Sequence, residues 1–167
     1  MEKSGFFNST DGDRVYNAAD FAAYFGSLVS NGVFYMTATN LQVTPANGLA
    51  VSVAAGSAWI NGYRYENTDD LNIPLTTAHG SNPRIDRIVV RLSQISRSIQ
   101  IAVVDGTPAA TPVAPALTRT SDVYELGIAD VLVPTAATSI VSNNITDTRM
   151  NTNLCGLVNS LVSAVYE

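Results

Sequence analysis

The chain predicts a mainly β protein: an antiparallel β-sandwich or barrel-like domain, with an N-terminal amphipathic helix and a short C-terminal helix. Three observations carry this. Asn61-Gly62 separates two short apolar-aromatic runs, Ser57-Ala58-Trp59-Ile60 and Tyr63-Arg64-Tyr65. A type I′ turn needs φ > 0 at both central residues, and Asn-Gly supplies it. Short apolar runs recur between turn formers from Val33 to about Thr148, as in sandwiches and barrels. Phe21, Tyr24, Phe25, Leu28 and Val29 fall at i, i+3, i+4, i+7 and i+8, which is one face of a helix.

The elements follow in order. Residues 4–16 read as an extended arm, with turn formers around Phe6-Phe7. The helix is expected over 18–30, with Asn17 as N-cap, Asp20 at N3 as in a capping box, and Asn31-Gly32 as the stop. Strands are expected at 40–44, 50–54, 57–60, 63–66, 70–74, 85–93, 98–105, 123–133 and 139–142. Asp105 to Thr120 holds Pro108, Pro112 and Pro115. It cannot be a central strand, and reads as a loop over the surface or onto a neighbour. Near the end, Leu154, Val158, Leu161 and Val165 are spaced 4, 3, 4, a heptad seam. The stretch 149–167 therefore reads as a helix, either docked on the β domain or bundled with copies of itself as a trimerisation element or shaft start. Three regions result: arm and helix 1–32 for anchoring, β domain 33–148, and C-terminal helix 149–167.

Composition narrows the function. A length of 167 residues suits one main domain with short appendages. Hydrophobic residues reach 46% and charged residues only 14%, against roughly 25% charge in an average soluble domain. An uncharged polar surface suits a part buried in a larger assembly. The net charge is −5, with Lys3 as the single lysine and scattered arginines, so no nucleic-acid footprint is expected. Cys155 alone cannot build a disulfide framework or a multi-cysteine zinc site. No apolar run approaches ~18 residues, so no membrane span is expected. Nor does an apolar signal core follow Met1, so synthesis in the cytoplasm is expected.

Candidate chemistry is sparse. Arg84, Asp86, Arg87 and Arg91 form the densest charge cluster. Arg84 and Asp86 share one strand face, and Arg87 and Arg91 share one. Arg84, Asp86 and Arg87 are candidates for intersubunit ion pairs, against the plainer reading of an ion-paired strand face. Asp11-Gly12-Asp13 is a scrap of a calcium loop without its closing Glu, and reads as a turn. His79 is the sole histidine and lies in a loop by composition. One histidine supports neither a Ser-His-Asp triad nor a multi-His metal site. Cys155 reads as a small buried hydrophobe. Neither catalysis nor a cofactor is expected.

Four phrases in order resemble the N-terminal domain of baseplate and tail-fibre proteins of phages that infect Gram-positive bacteria. They are Gly5-Phe6-Phe7-Asn8-Ser9 with Asp13-Arg14-Val15-Tyr16; Val51 through Tyr65; Asn82-Pro83-Arg84-Ile85-Asp86-Arg87-Ile88-Val89-Val90-Arg91-Leu92; and Ile145-Thr146-Asp147-Thr148-Arg149 followed by Cys155-Gly156. The resemblance implies a virion structural protein of the tail tip. It would be a homo-oligomer, trimer favoured, attached to other baseplate or tail proteins of a phage or phage-tail-like bacteriocin. A distal part would reach the host cell-wall saccharide. Phe6, Phe7, Arg14, Tyr16, Phe21, Tyr24 and Phe25 are the expected anchoring residues, because aromatics serve well as interface hot spots. The alternative is a carbohydrate-binding module stacking sugars on Trp59, Tyr63 and Tyr65, although core packing suits the sole Trp better.

Overall fold

The computed structural model describes residues 4–162. In chain order they hold helix α1 (Ala18–Gly26) and strands β1 (Gly32–Val33), β2 (Val43–Pro45), β3 (Ala50–Val53), β4 (Gly56–Ile60) and β5 (Tyr63–Asn67). There follow β6 (Leu71–Pro74), β7 (Arg84–Ser93), β8 (Ser98–Val104), β9 (Val123–Val133) and β10 (Ile145–Asp147). The strands form three antiparallel sheets, ordered β1-β4-β5, β2-β3-β6 and β10-β9-β7-β8. The protein is thus mainly β, in an arrangement consistent with a sandwich.

All three sheets contribute to one core. β3 gives Val51 and Val53, β4 gives Ala58 and Ile60, β7 gives Ile88, Val90 and Leu92, and β9 gives Leu126, Ile128, Val131 and Val133. Each such side chain stabilises by about 1.5–3 kcal/mol on full burial. The alternation of these residues fixes which face of each strand looks inward.

Asn61 (φ 50°) and Gly62 (φ 85°) both lie in the left-handed region, and Ile60 pairs with Tyr63 across them. The expected tight hairpin is therefore formed. The strand expected at 139–142 is not. There Asn144 accepts from the Val141 N–H at 3.1 Å and closes a 3₁₀ turn, Ser142–Asn144. Pairing with β9 begins only at Ile145.

The Pro-rich stretch 105–120 lies along the four-stranded sheet of its own chain. The Ala109 N–H donates to the Pro83 carbonyl, and Arg119 bridges to Tyr124.

The C-terminal helix expected over 149–167 is not formed in the described residues. Asn151 to Cys155 make a single turn, closed by the Cys155 N–H on the Asn151 carbonyl at 2.7 Å. Gly156 then stands at φ 83°, a left-handed conformation that ends helices. Beyond it the backbone pairs with residues 28–33. Val33 donates to the Gly156 carbonyl, Val158 to that of Val33, and Leu161 to that of Leu28. Leu154, Val158 and Leu161 therefore share no helical seam, and Val165 lies outside the described residues. The receptor for this segment is a bulge in β9. Ile88 pairs with Ala129 and Val89 with Gly127, so Ile128 is the extra residue. The bulge releases backbone groups from the ladder. The Gly127 N–H takes the Leu154 carbonyl, and the Ile128 carbonyl takes the Thr148 N–H. Long-range pairing has overridden a short heptad pattern.

Candidate functional site

The seven residues expected to anchor the chain come together on one exposed aromatic face. Its foundation is α1. Asn17 Oδ1 accepts from the Ala19 and Asp20 N–H groups, and Asp20 Oδ2 accepts from the Asn17 N–H, which completes the expected capping box. The helix stops at Gly26, four residues before the expected end. Ser27 and Leu28 turn out of it, and from Leu28 onward the backbone is claimed by the C-terminal segment.

Only Ala22 of α1 is buried. Phe21, Tyr24 and Phe25 remain 43–48% exposed. The arm curls back over them at Phe6, whose φ of 65° is uncommon for an aromatic residue. The Phe6 ring lies 4.9 Å from that of Tyr24, 5.4 Å from Phe21 and 5.5 Å from Tyr16. The Phe7 N–H donates to the Tyr16 hydroxyl at 2.9 Å. The Arg14 guanidinium sits 5.3 Å from the centre of the Phe7 ring, within cation–π range. Phe6 and Phe7 are themselves 46% and 58% exposed.

The face continues onto the β body through Trp59. Its indole lies edge-on to Phe25 at 6.0 Å and to Phe34 at 6.5 Å. Tyr35 and Met36, which follow Phe34, are exposed as well. Sequence reasoning missed the membership of Phe34 and Trp59. The signal was present: Ala58 and Ile60 face the core, so alternation turns Trp59 outward.

The same register separates the three aromatics of the sugar-stacking alternative. Ala58 pairs with Tyr65 and Ile60 with Tyr63, whereas Trp59 pairs with Arg64. Tyr63 and Tyr65 lean on the core, and burial raises the Tyr65 hydroxyl pKa. Trp59 looks the other way, so the three form no single platform. The Trp59 Nε1–H is shut from solvent and has no hydrogen-bond partner, which costs about 1–3 kcal/mol.

Gly62 seats the helix. A Cβ there would fall 1.9 Å from the Ala22 carbonyl oxygen. Asn31 clasps the same turn: its Nδ2 donates to Asn61 Oδ1 at 2.8 Å, and its Oδ1 accepts from the Asn61 N–H at 2.7 Å.

The ion-pair candidates Arg84, Asp86 and Arg87 are engaged within the chain. Arg84 grips both oxygens of the fully buried Asp86 through Nε, at 2.9 and 3.1 Å. It also donates to the Thr76 and Thr77 carbonyls, and Asp86 accepts from the Gly106 N–H. Arg87 makes a two-pronged pair with Asp130, at 2.7 and 2.9 Å, and donates to the Pro115 carbonyl. Arg91 pairs with Glu125, whose second oxygen accepts from the Thr118 N–H. Arg87 and Asp130 stand directly opposite across β7 and β9, as do Arg91 and Glu125. The pairs are cross-strand neighbours that staple the Pro-rich stretch to the sheet. Arg149 repeats the device, gripping Asp147 and donating to the Ala38 and Asn40 carbonyls. This contact holds the Asp147 carboxyl below its ordinary pKa.

The remaining candidates have local roles. Asp11 and Gly12 take positive φ in a turn closed by the Asp13 N–H on the Thr10 carbonyl. His79 Nδ1 accepts from the Ser81 and Asn82 N–H groups in an exposed loop. Cys155 is buried in the core, and burial pushes its thiol up to about 12, the state of an inert packing group.

Open clefts lie on and beside the aromatic face, the smallest of about 370 Å³ between the arm at Phe6 and Tyr16 and the α1 residues Asp20 and Tyr24; two are larger. One, of about 550 Å³, separates the first turn of α1 from Tyr63, Arg64 and the β7–β8 hairpin. The other, of about 600 Å³, lies between Phe34, Met36 and Asn40 on one side and Arg64 and Glu66 on the other. No protein family, curated protein or solved structure matches the chain.

Proposed function

We propose that this protein is a structural, non-catalytic component of a phage or phage-tail-like tail tip. In this reading it is a homo-oligomeric adaptor, trimer favoured, that joins host-recognition parts to the tail and works inside the assembled particle. The observation that carries the reading is the aromatic face. Phe6, Phe7, Phe21, Tyr24 and Phe25 are grouped and each about half exposed, while the body's charged residues are largely engaged within the chain. A contiguous exposed apolar patch marks an interaction surface, and permanent interfaces are the more apolar ones. The four ordered phrases add the tail-tip context. Separation of Trp59 from Tyr63 and Tyr65 weighs against the saccharide-binding alternative.

Sedimentation equilibrium of the purified chain tests this. A defined oligomer is expected, and replacing Phe21 and Phe25 together with Ser should dissociate it while leaving the β-sheet circular dichroism intact. A strictly monomeric chain at high concentration that also fails to join tail particles would sink the proposal.

A further inference from the structure

We propose that the free edge of β8 pairs, antiparallel and about a two-fold axis at Ile101, with β8 of a second copy of this chain. This contact is separate from the aromatic face and goes beyond the adaptor reading. β8 ends the four-stranded sheet. It pairs with β7 along its whole length without a register shift. Among the described residues, none of its backbone groups bonds to anything on the other side. An open edge is a template for another strand, and proteins blunt such edges with shortness, charge, Pro or bulges. The other edges here are blunted in these ways. β2 and β10 have three residues each, and β2 and β6 end in Pro45 and Pro74. β5 carries Arg64 and Glu66, and two-residue β1 is bonded to the C-terminal segment. β8 has seven residues with no charge, no Pro and no bulge.

The charges at its two ends point to the occupant. Exposed Arg97 precedes β8 and exposed Asp105 follows it. Among the described residues Arg97 has no carboxylate partner. A two-fold at Ile101 sets Ser98 opposite Val104, Ile99 opposite Val103 and Gln100 opposite Ala102 of the second copy. One step further, Arg97 of each copy falls opposite Asp105 of the other. A two-fold anywhere else from Ile99 to Val103 leaves both charges facing uncharged residues. Opposed residues in this register are an even number of positions apart along β8. The alternate N–H and C=O groups that point outward therefore meet outward groups of the other copy. The same surface serves both copies, as an isologous contact requires. Exposed ion pairs add little stability but select partner and register. Seven residues a side make far less than a standard interface, so the pairing is weak in dilute solution and serves copies already gathered.

Cross-linking of the full chain tests this. Gln100 is exposed, and its two copies would be diagonal neighbours about 7–8 Å apart. Buried Cys155 keeps its proton near neutral pH. With Gln100→Cys, a short bis-maleimide should give a covalent dimer. Adding either Arg97→Asp or Asp105→Arg sets like charges opposite at both ends, and the yield should fall several-fold. Aspartate tolerates the positive φ of 53° at position 97. Mixing these two variants should restore the dimer, now with one chain of each kind. Both charge changes in one chain should restore the dimer of like chains. Absence of a dimer, or a yield that ignores the charge changes, overturns the pairing. The sedimentation test of the aromatic face is read separately, so the adaptor reading stands or falls independently of this result.

Discussion

At the scale of single residues, Gly62 carries two constraints on one Cα. The turn holds it at φ 85°, and the Ala22 carbonyl occupies the space a side chain would need. Gly62→Val should cost at least ~1–3 kcal/mol from the backbone alone and unseat α1, read as a lower urea midpoint and a changed Trp59 emission. Asp86 is a second such position. Asp86→Asn leaves Arg84 buried without its counter-charge, and a loss of ~3–5 kcal/mol is expected, measurable by thermal melting. Cys155 gives a pH signature. Its thiol pKa is raised from 9.0 to about 12 by burial. Its contribution is therefore full below about pH 9 and is lost as pH rises toward 12. Cys155→Ala should flatten that alkaline decline in stability. Asp147 works in the opposite sense. Arg149 lowers its pKa from 3.8, so its contribution is present above that value and fades as pH falls through the lowered one.

At the scale of elements, the arginine staples explain how a chain with a long irregular stretch stays ordered. Arg87 holds Asp130 with two prongs and spends its third nitrogen on Pro115. Lysine offers no such fork. Arg87→Lys should therefore loosen residues 105–120 without unfolding the sheet, seen as faster amide exchange around Leu117 and Thr118. The sequence held part of this. Arg84 and Asp86 are two apart on one strand, so their shared face could be read directly. Pairing of Arg87 with Asp130 needed the register of β7 on β9, and a bulge at Ile128 sets that register. The hairpin and the helix cap were legible because Asn-Gly and Asn-x-x-Asp act locally. The C-terminal stretch was not, because its conformation is fixed by backbone groups of residues 28–33 far away in the chain. The aromatics of the arm could be named from the sequence, yet the turn at Phe6 that folds them over α1 has no local sequence signal.

At the scale of the whole molecule, the arm and α1 are appended to a β body that holds its own core. Among the described residues the contiguous core cluster begins at Val33, and buried Ala22 of α1 lies outside it. Deleting residues 1–26 should therefore leave a folded β protein with a melting temperature within a few degrees of the parent. The same deletion should abolish self-association in sedimentation, since it removes most of the aromatic face.

The arginine staples have one more effect, on how copies would meet. Arg84, Arg87, Arg91, Arg119 and Arg149 all point their charge at internal carboxylates or carbonyls, and Arg64 is held by Glu66. Nothing then steers copies together by long-range attraction, and each carries a net charge of −5, so the encounter rate should rise toward the ~10⁵–10⁶ M⁻¹s⁻¹ of neutral partners as salt screens the repulsion. Once joined, an oligomer held through the aromatic face should not come apart in salt. Its mass in sedimentation should therefore be no smaller in molar salt than in dilute buffer, the reverse of what an assembly held by exposed ion pairs would show.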